Sequence, residues 1–174
     1  MDAKVETTAT NQNFIYRVLE LTNIERSKLK LSQLTLNTQL LNAAQTHTQN
    51  MAVQDFFDHT GKDGSSPGTR INATGYQYSS YAENVAAGSS TPEQVVQAWM
   101  NSPGHRSNIL NPNLKEIGIG YYFLANDTGS VNYNHYLTQV FATSLHGSVN
   151  PAPTPTPTPT PPPTPHPPLH NIAP

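Results

Sequence analysis

The sequence predicts an α+β domain in which helices come first and cover a small sheet formed near the C-terminal end. Three observations lead to this prediction. Apolar residues recur at helical spacing in the first third of the chain, and a helix-capping sequence stands at residue 91. Two segments after residue 116 are rich in β-branched and aromatic residues. Runs of helices followed by runs of strands are typical of the α+β class.

Three helices are predicted in chain order. The first extends from about Asn13 to Lys30, where apolar residues stand three and four positions apart. The second begins at Asn37, a good N-cap, and ends at the aromatic pair Phe56-Phe57. The third begins at Thr91-Pro-Glu-Gln94, which combines a threonine N-cap, proline at the first helical position and glutamine at the third. Ser102-Pro-Gly104 ends it.

Two strands are predicted at residues 117–123 and 136–142. The intervening Asn126-Asp-Thr-Gly129 is a turn sequence, so the two strands are expected to pair antiparallel across a loop. Gly118 and Gly120 interrupt the first strand. Glycine inside a strand suggests that another part of the backbone packs closely against it.

The chain of 174 residues divides into three parts. Residues 1–11 are predicted to be a flexible N-terminus, and residues 12–147 a single folded domain. Residues 148–174 form a stalk or linker rich in proline and threonine, predicted to be disordered or to adopt polyproline II. Such a stalk suits a domain that is held away from a cell surface.

Composition excludes several functions. The net charge is −2 and no cluster of lysine and arginine occurs, so a nucleic acid is not an expected partner. No segment approaches the roughly 20 apolar residues of a membrane span. The first residues lack the apolar core of a signal peptide, so either a signal was removed or the protein is not exported. The stalk favours the first alternative, and we expect the protein to be secreted or on the cell surface. A monomer is expected.

The chain has no cysteine, which leaves histidine, aspartate and glutamate as candidate metal ligands or catalytic groups. His59, His105 and His135 lie at predicted element boundaries, where side chains can converge. Glu83 is a carboxylate in a nearly uncharged stretch, so it is either paired or functional. His47, inside the second helix, is predicted to be partly buried and hydrogen-bonded. Spacing alone leaves open that these are unrelated histidines and a surface glutamate.

Four segments together resemble the CAP superfamily, whose SCP-like domain occurs in cysteine-rich secretory proteins, venom antigens and pathogenesis-related proteins. The segments are FFDHTGKDG around His59, YAENVAAG around Glu83, AWMNSPGHRSNILNP around His105, and HYLTQVF at His135. AEN is similar to the family's G-E-N, and HYLTQVF to its H-Y-T-Q-V-V-W. The absence of cysteine and the SPGHRSNIL segment resemble the bacterial branch.

The resemblance implies a three-layer α-β-α sandwich with a small antiparallel sheet, and a cleft lined by two histidines and two acidic residues. The two histidines correspond to His59 and His135 and the first glutamate to Glu83, and we expect His105 to point into the same cleft. It also implies that His59 and His135 hold a divalent cation, commonly zinc. The family's second glutamate, in W-x-x-E, corresponds here to Ser102, so that carboxylate is missing. We expect Glu83 to hydrogen-bond one of the two metal-binding histidines.

Three functions remain open. The first is a non-catalytic binding module for an extracellular lipid, glycan or protein. The second is a metal-dependent hydrolase with the metal on His59 and His135 and Glu83 as general base. The third is a structural or adhesive cell-surface domain. Members of a family share a fold more reliably than an activity, so the site must decide between them.

Overall fold

The structure, a computed structural model, describes residues 3–147, with side chains from residue 11 onward. The predicted stalk, residues 148–174, lies outside the described residues. In chain order the elements are α1 (Ala3–Lys28), β1 (Thr35–Leu36), α2 (Thr38–Val53), α3 (Pro67–Ala73), β2 (Tyr78–Ala87), α4 (Pro92–Asn101), α5 (Pro103–Ile109), β3 (Glu116–Phe123) and β4 (His135–Ser144).

The helix starts follow local capping chemistry. Asn37 is the N-cap of α2, and its side-chain oxygen accepts from the backbone N–H groups of Gln39 and Leu40. Thr91 caps α4 by accepting from the N–H of Gln94. The first helix begins at Ala3 rather than near Asn13, so it includes residues predicted to be a flexible N-terminus. That segment contains neither proline nor glycine to stop a helix.

The sheet has four strands in the order β1-β3-β4-β2. β3 pairs antiparallel with β4, which confirms the predicted pairing of the two C-terminal strands. β4 also pairs antiparallel with β2, in a register that sets Glu83 opposite Val140. The short β1 pairs parallel with β3, an addition that the sequence pattern does not predict.

Helices cover both faces of this sheet, which confirms the α-β-α sandwich. One face carries α1, α4 and α5 over a core that includes Val18, Trp99 and Phe141. The other face carries α2 and α3 over smaller clusters that include Leu40, Val140 and Tyr136. Side chains alternate between the faces along each strand, so the face of any strand residue is known from its neighbours.

Among the described residues, none of the helices combines the length and apolarity needed to cross a bilayer.

Candidate functional site

Glu83 lies on β2, one of the two edge strands, with its side chain on the α2 face of the sheet. It stands opposite Val140, which packs against α2. The carboxylate is buried, and both of its oxygens are bonded. Oε1 accepts from Nδ1 of His59 at 2.9 Å, and Oε2 accepts from Nη2 of Arg70 at 2.8 Å. A buried carboxylate is stable only when it is paired in this way. We call His59, Arg70 and Glu83 the His59 cluster.

His59 is the solvent-exposed member of this cluster. It lies in the loop after α2, and 49% of its side chain is exposed while that of Glu83 is almost fully buried. The hydrogen bond to Glu83 raises the pKa of His59, against the opposing effect of burial. A ligand approaching from solvent therefore meets the imidazole ring first.

Arg70, in the middle of α3, fixes the position of the loop that carries His59. Besides Glu83, its Nη2 donates to the backbone oxygen of His59 at 2.9 Å, and its Nη1 donates to that of Ser65 at 2.9 Å. The side chain is 9% exposed. Sequence reasoning missed Arg70. The signal that could have found it was a lone arginine in a stretch with almost no other charge, close in sequence to the lone glutamate.

His105 lies on α5, beside the edge of β2. Burial lowers its pKa, and the positive charge of His59 lowers it further, so the two rings are electrostatically coupled. Two asparagines hold α5 in this place. Nδ2 of Asn84 donates to the backbone oxygen of His105 at 3.2 Å, and Nδ2 of Asn108 donates to that of Glu83 at 3.2 Å. Both asparagines therefore tie α5 to β2 through backbone carbonyl groups beside the site.

His47 lies beneath the cluster and is fully buried. Its Nε2 donates to the backbone oxygen of Asp58 at 2.9 Å, which confirms the predicted hydrogen-bonded histidine. Burial lowers its pKa, as does the charge of Arg70. Among the described residues, Nδ1 of His47 and Nε of Arg70 are a buried acceptor and a buried donor without a partner.

The structure does not bring His135 into the cluster. His135 stands opposite Phe123 at the start of β4, and its Nδ1 lies 2.9 Å from the hydroxyl of Tyr121. Tyr121 stacks on Phe14 of α1, so this histidine is on the α1 face, whereas Glu83 is on the α2 face. It is also five residues along β4 from the partner of Glu83, about 17 Å. The expected pairing of His59 with His135 is therefore corrected.

The residues present do not fit the divalent cation that the family resemblance implies. Both oxygens of Glu83 are engaged, and one of them faces a guanidinium that repels a metal ion. Ser102, between α4 and α5, supplies no carboxylate. In the range 11–147, no three His, Asp or Glu side chains are placed to hold a metal ion together.

Three exposed aromatic rings border the His59 cluster, and we call Phe57, Tyr81 and Tyr133 the aromatic rim. Tyr81 precedes Glu83 by two residues on the same face of β2. Phe57 precedes His59 by two residues, and its ring centre lies 6.0 Å from that of Tyr133, which packs beside Gly88 at the far end of β2. From Tyr81 to Gly88 the strand spans about 24 Å.

A concavity of about 410 Å³ lies between α1 and α4, away from the His59 cluster. Its lining is apolar at Leu21, Val96 and Met100 and also includes Glu25 and Glu93. Both glutamates are paired, with Lys28 and Arg17 respectively.

The electrostatics of the two histidines predict opposite effects of pH on stability. The pKa of His59 is raised in the folded state, so its contribution to the free energy of unfolding is complete below about pH 6.5 and is lost as pH rises through the folded value. We therefore expect the difference in thermal midpoint between wild type and His59→Gln to shrink as pH increases from about 5.5 to 8.

His105→Gln is the matched variant for this measurement. Because the pKa of His105 is lowered by folding, its protonation destabilises the fold, and wild type should lose stability relative to the variant as pH falls below about 6.5. Slopes of the same sign for the two variants would contradict the assigned hydrogen bond between His59 and Glu83.

Comparison with known proteins agrees with this architecture. Residues 19–141 match the model of the cysteine-rich secretory protein family, CAP. The uncharacterized protein YkwD of Bacillus subtilis is 46% identical over 105 residues, which are 60% of this chain and 41% of that protein. The chain therefore spans less than half of the length of this relative.

Solved structures show the same fold. An extracellular protein of Bacillus anthracis that contains an SCP domain superposes with a TM-score of 0.68 at 28% identity, over 77% of this chain and 41% of that one. An outer surface protein of Borrelia burgdorferi superposes with a TM-score of 0.58 at 23% identity, over 83% of this chain and 96% of that one.

Proposed function

The chain belongs to the cysteine-rich secretory protein (CAP) family, and from this premise we propose that it is an extracellular, non-catalytic module that binds its ligand over the His59 cluster. The observation that carries this proposal is the state of Glu83, whose two oxygens are both bonded while His59 faces solvent. The names of its extracellular and outer-surface structural relatives support the location.

The arrangement favours binding over hydrolysis. A general base needs an oxygen that can reach a water molecule and accept its proton. One oxygen of Glu83 is held by His59 and the other by a buried ion pair with Arg70, so accepting a proton would break one of these contacts. The hydrolase hypothesis also needs a metal on His59 and His135, which lie on opposite faces of the sheet.

The side chains around the cluster favour a glycan as the ligand. Sugars present C–H faces that stack on aromatic rings and hydroxyl groups that bond to polar side chains. The aromatic rim supplies exposed rings on both sides of a polar centre formed by His59 and His105. A strand length of about 24 Å suits an extended chain better than one small molecule. We therefore propose an oligosaccharide.

Binding is tested by calorimetric titration with two oligosaccharides, N-acetylchitotetraose, which is uncharged, and tetragalacturonate, which is acidic. We expect one of them to bind, and Tyr81→Ala to weaken that binding about tenfold through loss of one stacking contact. Phe123→Ala is the matched control, because Phe123 is similarly exposed (47% against 41%) but lies on the α1 face. The Phe123→Ala variant should bind the oligosaccharide with the same affinity as wild type.

Two results would contradict this function. If neither sugar binds, or if Tyr81→Ala and Phe123→Ala behave alike, the aromatic rim is not a glycan site. If new reducing ends appear on prolonged incubation and Glu83→Gln abolishes them, the module is catalytic and the bonded state of Glu83 does not prevent base chemistry.

Lipid binding is a second candidate, favoured by the apolar walls of the groove between α1 and α4. The residues that line it include Glu25 and Glu93, whose charges are paired with Lys28 and Arg17, and none of the lining residues is basic. The groove therefore offers no positive charge for the carboxylate of a fatty acid, and we rank lipid binding below glycan binding. Titration with a fluorescent fatty acid separates lipid binding from glycan binding. If the fatty acid binds in the groove, its affinity should be lowered by Met100→Asp and unchanged by Tyr81→Ala.

A further inference from the structure

Glu83 and His59 are joined by a third group that the sequence patterns did not point to, the guanidinium of Arg70. Nη2 of Arg70 lies 2.8 Å from Glu83 and 2.9 Å from the backbone oxygen of His59, so a single nitrogen connects the carboxylate with the loop. Nη1 connects the same side chain to Ser65, six residues further along that loop. The side chain is more than nine-tenths buried.

We propose that Arg70 is a built-in cation that takes the place of a divalent metal ion beside Glu83, so that the His59 cluster is assembled and kept in position without a metal. Arg70 is on this view a positioning residue, since it acts on the ligand through His59 and its loop. The proposal is independent of which ligand the module binds.

The chemistry of the two cations supports this assignment. A guanidinium stays protonated at any physiological pH and donates along fixed directions, which matches a carboxylate and two carbonyl oxygens arranged around it. A divalent ion at the same carboxylate would stand beside this fixed positive charge in a buried environment, where repulsion is strong.

The position of His135 supports the same conclusion from a different part of the fold. Its Nδ1 is engaged by the hydroxyl of Tyr121, and its ring packs against Phe123 at a centroid distance of 4.8 Å. These contacts hold the ring on the α1 face. The histidine that the family resemblance assigns to metal binding is thus committed elsewhere, while Arg70 holds Glu83.

The test is calorimetric zinc titration of untagged full-length protein near pH 7.5. Wild type should bind zinc no more tightly than His59→Ala. Arg70→Met, which removes the charge but keeps an apolar chain, should gain a site at least tenfold tighter than any in wild type. The double variant with His59→Ala should lose that site. A wild-type site that His59→Ala abolishes, or an Arg70→Met protein without a new site, would overturn the proposal.

A second measurement applies even if Arg70→Met does not fold, because it uses wild type and Arg70→Lys. Lysine keeps the charge but cannot reach Glu83, Ser65 and the His59 carbonyl together. We expect Arg70→Lys to bind no additional zinc and to exchange its backbone amides in residues 59–65 at least tenfold faster than wild type, with unchanged exchange in β3. Unchanged exchange in residues 59–65 would show that Arg70 does not position the loop, against the proposal.

Failure of this proposal is distinguishable from failure of the proposed function. Sugar binding that depends on Tyr81 but accompanies a wild-type zinc site would overturn the role of Arg70 alone. Absence of sugar binding with the zinc results as expected would overturn only the glycan assignment.

Discussion

Gly118→Ala is expected to destabilise the fold by about 3 kcal/mol or more, at or above the upper end of the usual cost of overpacking. A Cβ atom at this position would lie 2.0 Å from the backbone carbonyl carbon of Leu40 and 2.2 Å from its oxygen. These are main-chain atoms of α2, so no side chain can rotate away, and the helix must move from the sheet. Thermal denaturation followed by circular dichroism should show a midpoint lower by about 10 °C or more.

Gly104→Ala is the matched control. It lies in α5, and a Cβ there would meet no atom within 4 Å. Alanine in a helix loses less conformational entropy than glycine, so this variant should be unchanged or stabilised by about 0.5 kcal/mol. If Gly118→Ala were as stable as Gly104→Ala, the close approach of α2 to β3 would be wrong.

The close approach at Gly118 was predictable from sequence, because glycine weakens the interior of a strand and is typical of positions where another backbone packs against it. The same segment indicated β3, and the antiparallel pairing with β4 followed from the turn sequence between them. What the sequence pattern did not predict is β2, although it carries Glu83. Its residues Tyr78–Ala87 mix serine, alanine and a buried carboxylate, so neither face shows a continuous apolar alternation.

Two short helices were missed for a related reason. α3 begins inside the cluster of turn-forming residues at 61–68, and α5 begins at Pro103, one residue after the start of the sequence predicted to end the third helix. In each, proline occupies the first helical position, where it starts a helix as readily as it ends one. Because α3 was not predicted, the isolated charges of Arg70 and Glu83 could not be placed against each other from the sequence alone.

The misplacement of His135 has a simple geometric cause. In H-Y-T-Q-V-V-W the histidine stands two residues before threonine, whereas in HYLTQVF it stands three residues before Thr138. Side chains alternate along a strand, so one additional residue moves the histidine to the opposite face. Tyr136 stands at the two-residue position instead, and it is buried on the α2 face. The two motifs share most of their residue types, and this similarity hid the fact that His135 lies on the opposite face of the strand.

Arg26 is the other residue whose importance only the structure reveals. It lies near the end of α1, where a basic residue is ordinarily a solvated partner of the helix dipole. Here its guanidinium is fully buried and donates to four backbone oxygens, those of Ser32, Ile109, Asn111 and Leu114, at 2.7–3.2 Å. Burial lowers its pKa, but an arginine retains its charge. One side chain thus joins α1 to the loop that leads into β3.

Arg26→Met is therefore expected to cost about 3–5 kcal/mol in the free energy of unfolding, since it leaves four carbonyl groups without their donor in the interior. The thermal midpoint should fall by about 10 °C. Arg26→Lys should recover only part of this loss, because one ammonium group cannot reach carbonyls arranged around a planar fork.

Arg17→Met provides the comparison on the same helix. Arg17 is exposed, and its ion pairs with Glu20 and Glu93 lie at the surface, where such pairs contribute little. The thermal midpoint of Arg17→Met should stay close to that of wild type. Urea denaturation should rank the stabilities of Arg26→Met, Arg26→Lys and Arg17→Met in the same order as thermal denaturation. If Arg26→Met and Arg17→Met lowered the free energy of unfolding equally, the loop at 109–115 would be held by contacts other than those of Arg26. A large loss at Arg26 alone would show that the junction between α1 and the start of β3 depends on this one buried charge.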